Sequence, residues 1–464
     1  MTGPATANAA GADGSYYQAH QKIYPREVQG RFARARALAV WVLLGSYYLL
    51  PWIELHGRQA VLFDLRARKF YVFALVMWPQ DFIFLTWLLV LAALSLFFFT
   101  ALAGRLWCAY ACPQTVWTEV FLWIERLTEG TRQARIKLDA APWSPAKLAR
   151  KAAKQLLWIG LALWTGFTFV GFFSPIRPLA ASLLGGSLGP WESFWLVFYG
   201  FATYGNAGYL REQVCKYMCP YARFQSAMFD RDTLVITYDS ERGEARGARR
   251  RGTPPRTGGL GDCIDCTWCV QVCPTGIDIR KGLQYECIGC AACIDACDAI
   301  MDRVGYPRGL IRYTTQHALE HRTTHVLRPR VLVYGTILAL LAGGFLLALA
   351  RRPPVALDVI RDRNSLYRLL DDGRVENVYT VKILNKSERD RSFALTVSGA
   401  GNLTLDPTEA NVTVGSGEVM PVVLRVRRDA YQPAGSATIR FRVTARDDAR
   451  ISASHEARLL APAG

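Results

Sequence analysis

Three features predict a polytopic α-helical membrane protein with an inserted cysteine-rich domain and a C-terminal β-sandwich. Long uncharged apolar runs recur along the first 350 residues, all twelve cysteines fall in clustered motifs, and a two-residue apolar alternation fills the last hundred positions. With 464 residues, 51% hydrophobic and only 20% charged, the chain is too apolar for a disordered or fibrous protein. Tight cysteine spacing in so long a chain also argues against a secreted disulfide scaffold.

A spanning helix needs roughly 20 mostly apolar residues to cross about 30 Å of hydrocarbon. Five stretches meet or approach that length: Ala37 to Ile53, Phe82 to Ala103, Gln155 to Ser174, Trp191 to Tyr209 and Val331 to Ala350. The second and fifth carry no charge. A sixth run, Phe70 to Trp78, is about half the needed length and stops at Pro79, so it is expected along the membrane interface. The first apolar run has no small-residue cleavage site after it, which predicts an anchor and no removed leader. Residues 1–36 form an N-terminal segment whose first 22, small and polar, are expected to be disordered.

Lys22, Arg26, Arg31, Arg34 and Arg36 precede the first span, and the positive-inside rule holds such a segment in the cytoplasm. Parity then places residues 104–154 and 210–330 inside, both rich in Arg and Lys, whereas the third loop offers only Arg177. Arg58, Arg66, Arg68, Lys69, Arg351 and Arg352 depart from this pattern. The excess of 55 Lys and Arg over 38 Asp and Glu, +17 in all, collects at helix ends and inner loops. It therefore indicates membrane topology and lipid contact, not nucleic acid. The densest patch, Gly243 to Gly259, reads as a flexible linker whose arginines touch anionic lipid headgroups.

Cys263, Cys266, Cys269 and Cys273 form CIDCTWCVQVCP, and Cys287, Cys290, Cys293 and Cys297 repeat it as CIGCAACIDACD. This is the bacterial ferredoxin run twice, in a domain of about residues 258–310 within a region spanning 211–330. C-x2-C-x2-C wraps three thiolates around one face of a 4Fe-4S cubane, and the fourth comes from the other motif. One cluster then takes Cys263, Cys266, Cys269 and Cys297, and the other Cys287, Cys290, Cys293 and Cys273. Zinc would use paired C-x2-C ligands, and cytosolic thiols resist disulfide formation. Asp298 replaces the proline found at Pro274, which is expected to alter the turn and cluster exposure and, as a carboxylate, to lower the potential.

Cys108 and Cys112 lie in RLWCAYACPQ after the second span, and Cys215 and Cys219 in EQVCKYMCPY after the fourth. Equivalent cysteines are 107 residues apart in both cases (215 − 108, 219 − 112). Residues 37–210 thus hold a four-helix core with a repeated C-x3-C-P motif, and approximate symmetry could gather all four thiols. On helical backbone, i and i+4 share a face. Soft thiolates with Met218 nearby suit copper, as substrate or transient ligand. A further cluster, a redox dithiol and plain packing are the competing readings.

None of the six histidines, His20, His56, His317, His321, His325 and His455, lies in an expected span, so no membrane haem is expected. His317, His321 and His325 recur every fourth residue and would align on one helical face, a candidate copper-binding row. After the fifth span (331–350), NVYTVKIL, SFALTV, MPVVLRVRR and ATIRFRVTA alternate with period two, predicting an immunoglobulin-like sandwich over 354–464 that docks or stabilises.

The strings WPQDF, WCAYACPQTVW, CKYMCPYARFQ and CIGCAACIDACD followed by GYPRGLIRY resemble the cytochrome c oxidase accessory family CcoG, also called FixG or RdxA. The membrane half is also similar to NapH-type quinol dehydrogenase subunits. The first resemblance implies a bacterial inner-membrane oxidoreductase whose clusters are cytoplasmic and whose C-terminal domain is periplasmic. It further implies a cupric reductase serving assembly of the cbb3-type oxidase. Copper, oxidase assembly factors or copper chaperones, and an electron donor of unknown identity would be its partners. Cys108, Cys112, Cys215 and Cys219 would be its membrane-proximal thiols. The alternatives are a quinol-oxidising carrier and a non-catalytic assembly scaffold.

Overall fold

The computed structural model describes residues 22–55, 57–250, 252–363, 365–387, 389–399, 401–407, 410–429 and 436–462. The readings on His20, His56 and the first 21 residues lie outside these. The chain divides into two compact units, one formed by the residues up to Leu62 with Val90–Ala339, the other by Phe63–Leu89 with Leu340–Gly464.

The helices in chain order are α1 (Arg31–Leu49), α2 (Phe82–Ala103), α3 (Leu106–Tyr110), α4 (Pro113–Glu129), α5 (Arg132–Ala140), α6 (Pro145–Val170), α7 (Ile176–Leu184), α8 (Pro190–Thr203) and α9 (Pro220–Met228). In the cysteine-rich region follow α10 (Ser240–Gly243), α11 (Trp268–Gln271), α12 (Ala292–Val304) and α13 (Gln316–Leu319), and then α14 (Pro329–Ala350). Among the described residues, three helices are long and apolar enough to cross a membrane: Pro79–Ala103, Pro145–Val170 and Pro329–Ala350. Only 6% of the apolar window of the first and third is buried within the protein, an exposure of Phe, Leu and Ile that water would not tolerate. The expected first span falls in the 19-residue α1, which begins before Ala37. The expected fourth begins in the 14-residue α8 and continues in π-helical turns over Tyr204–Leu210. α6 and α8 approach closely because Gly166 has no side chain, and a Cβ there would come within 2.3 Å of the Leu196 carbonyl oxygen.

In the first unit, strand Val235–Tyr238 pairs antiparallel with Ile311–Thr314 and backs the two cysteine loops. Ile236, Ile279, Ile294 and Leu310 form their core. The expected linker Gly243–Gly259 departs from its reading. It packs on this domain, with Gly247 N donating to the Cys263 carbonyl at 3.2 Å, Gly261 N to the Ala245 carbonyl at 2.9 Å, and Tyr306 Oη to the Thr253 carbonyl at 2.8 Å. Backbone pairing that is invisible in composition turns a Gly- and Arg-rich stretch into a strap.

In the second unit, the run expected along the interface forms a hairpin. Lys69–Val72 pairs with Leu75–Met77, Phe70 opposite Met77. Val76 and Trp78 pack against Leu384, so alternate apolar side chains bury on protein. Asp81 accepts from Lys386 Nζ at 2.8 Å and also pairs with Arg352. The C-terminal domain is a two-sheet sandwich. One sheet runs Leu403–Asp406, Val419–Arg428, Val375–Asn385, Val355–Arg361, and the other Ala410–Val414, Arg391–Gly399, Ala437–Ala445, Ser452–Leu459. Tyr379 and Phe441 meet in its core at 5.1 Å between ring centroids.

Candidate redox centre

Both three-cysteine loops adopt the same backbone. The residue before the second cysteine is left-handed in each (Asp265, φ 55°; Gly289, φ 71°), as is the residue after it (Thr267 and Ala291, both φ 58°). Repeated positive φ at non-glycine positions is costly and persists only where the surroundings demand it. These turns bring Cys263, Cys266 and Cys269 around one small cavity, whose fourth sulfur comes from Cys297 on α12. A second cavity is lined by Cys287, Cys290 and Cys293 together with Cys273, and Cys269 reaches it as well. Among the described residues no three His, Cys, Asp or Glu side chains converge closely enough for a single metal ion. Burial pushes the Cys269 and Cys287 thiols up to about 12.

The two loops differ after their fourth cysteine. α11 ends at Gln271, ahead of Pro274, whereas α12 continues through Asp298 to Val304. Asp298 keeps the backbone N–H that proline lacks, and its carboxylate accepts from Gly309 N at 3.0 Å. The substitution therefore lengthens a helix that carries Cys297.

The C-x3-C-P motifs do not lie on continuous helix, which corrects the expectation of a shared face. α3 ends at Tyr110, and Cys112 caps α4 in an extended conformation (φ −63°, ψ 125°) with Pro113 at the first helical position. In the second motif Val214–Met218 is π-helical, and Cys219 caps α9 likewise (φ −82°, ψ 109°) ahead of Pro220. Proline suits this position because its missing N–H has no helical partner there. Although no single helix aligns them, the tertiary fold gathers the thiols. Burial, followed by the neighbouring Cys112, pushes Cys108 up to about 12, with Cys215 and Cys219 adding to the effect and Arg105 opposing it. Burial and Cys112 likewise push Cys215 up to about 11. Cys108 Sγ lies 3.4 Å from Gln225 Oε1. Met218 is 59% exposed at the end of its π-helical turn.

This thiol quartet lies beside the loop of the second cysteine cavity. Arg105 is buried, and its Nη2 donates to the Ala222 carbonyl at 2.8 Å. Its charge acts on Cys108, on Cys215 and, across the junction, on Cys287. Tyr313 Oη donates to the Gly289 carbonyl at 2.6 Å, and Arg36 donates to the Cys290 carbonyl. The sequence reading missed Arg105, Arg36, Tyr313 and Gln225; the only local signal was the glycine in CIGC.

The histidine row is not formed. α13 ends at Leu319, and His321 turns left-handed (φ 54°). His317 Nδ1 pairs with Asp232 at 2.9 Å, while His321 Nε2 pairs with Glu241 at 2.9 Å. The carboxylates of other segments take these rings in separate directions.

On α4, Glu125 and Glu129 are fully buried. Glu125 meets Arg135 at 3.3 Å and Arg211 at 3.1 Å, and Glu129 meets Lys151 at 3.0 Å and Lys154 at 2.9 Å. Burial raises the Glu125 carboxyl, but Arg211, Lys22 and Arg135 outweigh it and hold the group below its ordinary value.

Residues 210–316 match a family described as a 4Fe-4S dicluster domain, and residues 84–129 one described as a 4Fe-4S binding domain. Residues 345–462 match the IG-like fold at the C-terminal of FixG. The chain is 40% identical to the nitrogen fixation protein FixG of Rhizobium meliloti over 462 residues, covering 90% of this chain and 88% of that one. It is 39% identical to protein RdxB of Cereibacter sphaeroides, covering 94% of each. With RdxA of the same organism it shares 40%, covering 83% of this chain and 84% of the relative. A crystal structure of a FixG-related protein from Vibrio parahaemolyticus, 29% identical, covers 23% of this chain and 96% of its own, with a TM-score of 0.21.

Proposed function

Because the chain belongs to the FixG/RdxA family of iron-sulfur oxidoreductases, we propose that it passes single electrons to Cu(II), releasing Cu(I) for assembly of cbb3-type cytochrome c oxidase. The observation that supports this reading is that Cys108, Cys112, Cys215 and Cys219 lie within electrostatic reach of one another, with Arg105 acting on Cys108, Cys215 and Cys287 and its backbone against Gly289 of the second loop. Cys263, Cys266, Cys269 and Cys297 hold one 4Fe-4S cluster, and Cys273, Cys287, Cys290 and Cys293 the other. When bound, these groups supply one-electron transfer, which is the stoichiometry of cupric reduction. The quartet contributes soft sulfur ligands, which favour Cu(I) over Cu(II) and so make the bound metal easier to reduce.

α1 and α8, with its π-helical extension, add two spans to the three long apolar helices. On this reading the protein sits in the bacterial inner membrane, its N-terminus and clusters cytoplasmic and its immunoglobulin-like domain periplasmic. Copper chaperones or oxidase assembly factors receive the product. The test is anaerobic copper reduction by cluster-loaded protein, comparing wild type with Cys108→Ser and Cys215→Ser. Both substitutions should slow Cu(I) formation at unchanged iron content, and unchanged rates would remove the quartet from the mechanism.

A further inference from the structure

A cavity of about 780 Å³ opens between the N-terminal segment, α1, α4 and the second cysteine loop. Cys215 of the thiol quartet and Cys290 of the second loop both line it, so it touches both redox sites. Its volume falls within the range of sites for cofactor-sized molecules, roughly 300–1,000 Å³. Five arginines line it against three glutamates; Arg126 pairs with one of these, Glu119, at 3.5 Å, Arg211 pairs with Glu125 and Arg36 with the Cys290 carbonyl, and Arg34 lies exposed on α1. The excess of two arginines over glutamates favours an anion over Cu(II) in this cavity. Guanidinium groups instead select anions, and phosphate above all, because the planar fork matches two of its oxygens. Trp123, Val272 and Ile288 make the remaining surface aromatic and aliphatic, as a planar ring system requires.

We propose that this cavity binds the electron donor, a reduced flavin nucleotide, with its phosphate on the arginines and its ring toward Cys215 and Cys290. The inference rests on the proposed role of the cysteines as cluster ligands. Nicotinamide nucleotides share the phosphate chemistry but deliver hydride, which centres accepting one electron at a time cannot take; flavins also work by single electrons. Oxidation of the bound dihydroflavin to flavin releases two electrons and two protons. The electrons go singly to the two iron-sulfur centres, and the protons leave to water.

The experiment uses the full-length, cluster-loaded chain in detergent without copper. Flavin mononucleotide is titrated against it by quenching of flavin fluorescence, with riboflavin, which lacks the phosphate, alongside. Flavin mononucleotide should bind about tenfold or more tightly than riboflavin, and Arg34→Glu together with Arg126→Glu should erase that difference. Arg34→Gln alone, at an exposed position on α1, should weaken binding in the same direction if the double variant loses iron. In stopped flow, reduced flavin mononucleotide should bleach the cluster absorbance faster than reduced riboflavin. Equal affinity for the two flavins, or full affinity in the variants at normal iron content, would overturn the assignment. So would a short-chain quinol that bleaches wild type and Arg34→Gln alike while flavin does not. Failure of dithionite-reduced protein to reduce Cu(II) would strike the copper reading alone, because flavin binding is measured without copper.

Discussion

The backbone of Arg105 lies against Gly289: a Cβ at Gly289 would come within 3.3 Å of both the Cβ and the carbonyl oxygen of Arg105. The glycine also has φ +71°, so two independent constraints disfavour a side chain there. Asp265 occupies the equivalent place in the first loop, also left-handed, and its side chain pairs with Arg280. Only the second loop docks on Arg105. Gly289→Ala should cost about 1–2 kcal/mol locally and lower the iron content of the second site, measured by iron and sulfide analysis. Asp265→Gly should leave iron binding near normal.

Arg105→Met removes a buried positive charge beside Cys108, Cys215 and Cys287. Reduction adds negative charge to a centre, so losing the cation disfavours the reduced form. The potential of the second cluster should fall by roughly 60 mV, the one-electron equivalent of a tenfold change in equilibrium. An EPR-monitored redox titration checks this, and an unchanged potential would show that Arg105 only packs.

Cys297 and Cys273 each serve the cavity of the other motif. Cys297→Ser should damage the site formed by Cys263, Cys266 and Cys269, and Cys273→Ser the site next to Arg105. Each variant should keep about half of the iron. Their residual EPR signals should differ, and identical spectra would contradict the exchange.

The buried Glu125 ties the chain to acid-sensitive stability. Its folded-state value lies below the ordinary carboxylate value, so its contribution is complete above the unfolded glutamate value of about 4.3. That contribution is lost as pH falls through the depressed folded value. Thermal unfolding in detergent should therefore show a midpoint that drops below about pH 4. Glu125→Ala should cost roughly 3–5 kcal/mol at pH 7, because Arg135 is then left buried and uncompensated, and should flatten this acid response.

Much of the architecture was legible in order along the chain. α2 and α14 announce themselves because crossing a bilayer requires about 20 consecutive apolar residues, a property of one segment alone. The cysteine loops were legible for a similar reason, since three ligands on one cluster face are close neighbours in sequence. Motif order also placed Cys297 beside the loop of Cys263, Cys266 and Cys269, and Cys273 beside that of Cys287, Cys290 and Cys293.

What consecutive residues do not encode is which distant surfaces meet. The 107-residue repeat hinted that Cys108, Cys112, Cys215 and Cys219 converge, but helical periodicity supplied the wrong local picture. The chain turns extended at Cys112 and Cys219 so that Pro113 and Pro220 can begin new helices. His317 and His321 diverge for the same kind of reason: α13 ends before His321, and the two rings meet Asp232 and Glu241, some 80 residues away, on different segments. Spacing alone thus determined the metal-binding loops and the apolar spans. Tertiary packing alone decided that Arg105 stands between the C-x3-C-P thiols and the second cysteine loop and that Glu125 is buried, because burial and proximity across a hundred residues arise only when the segments are brought together.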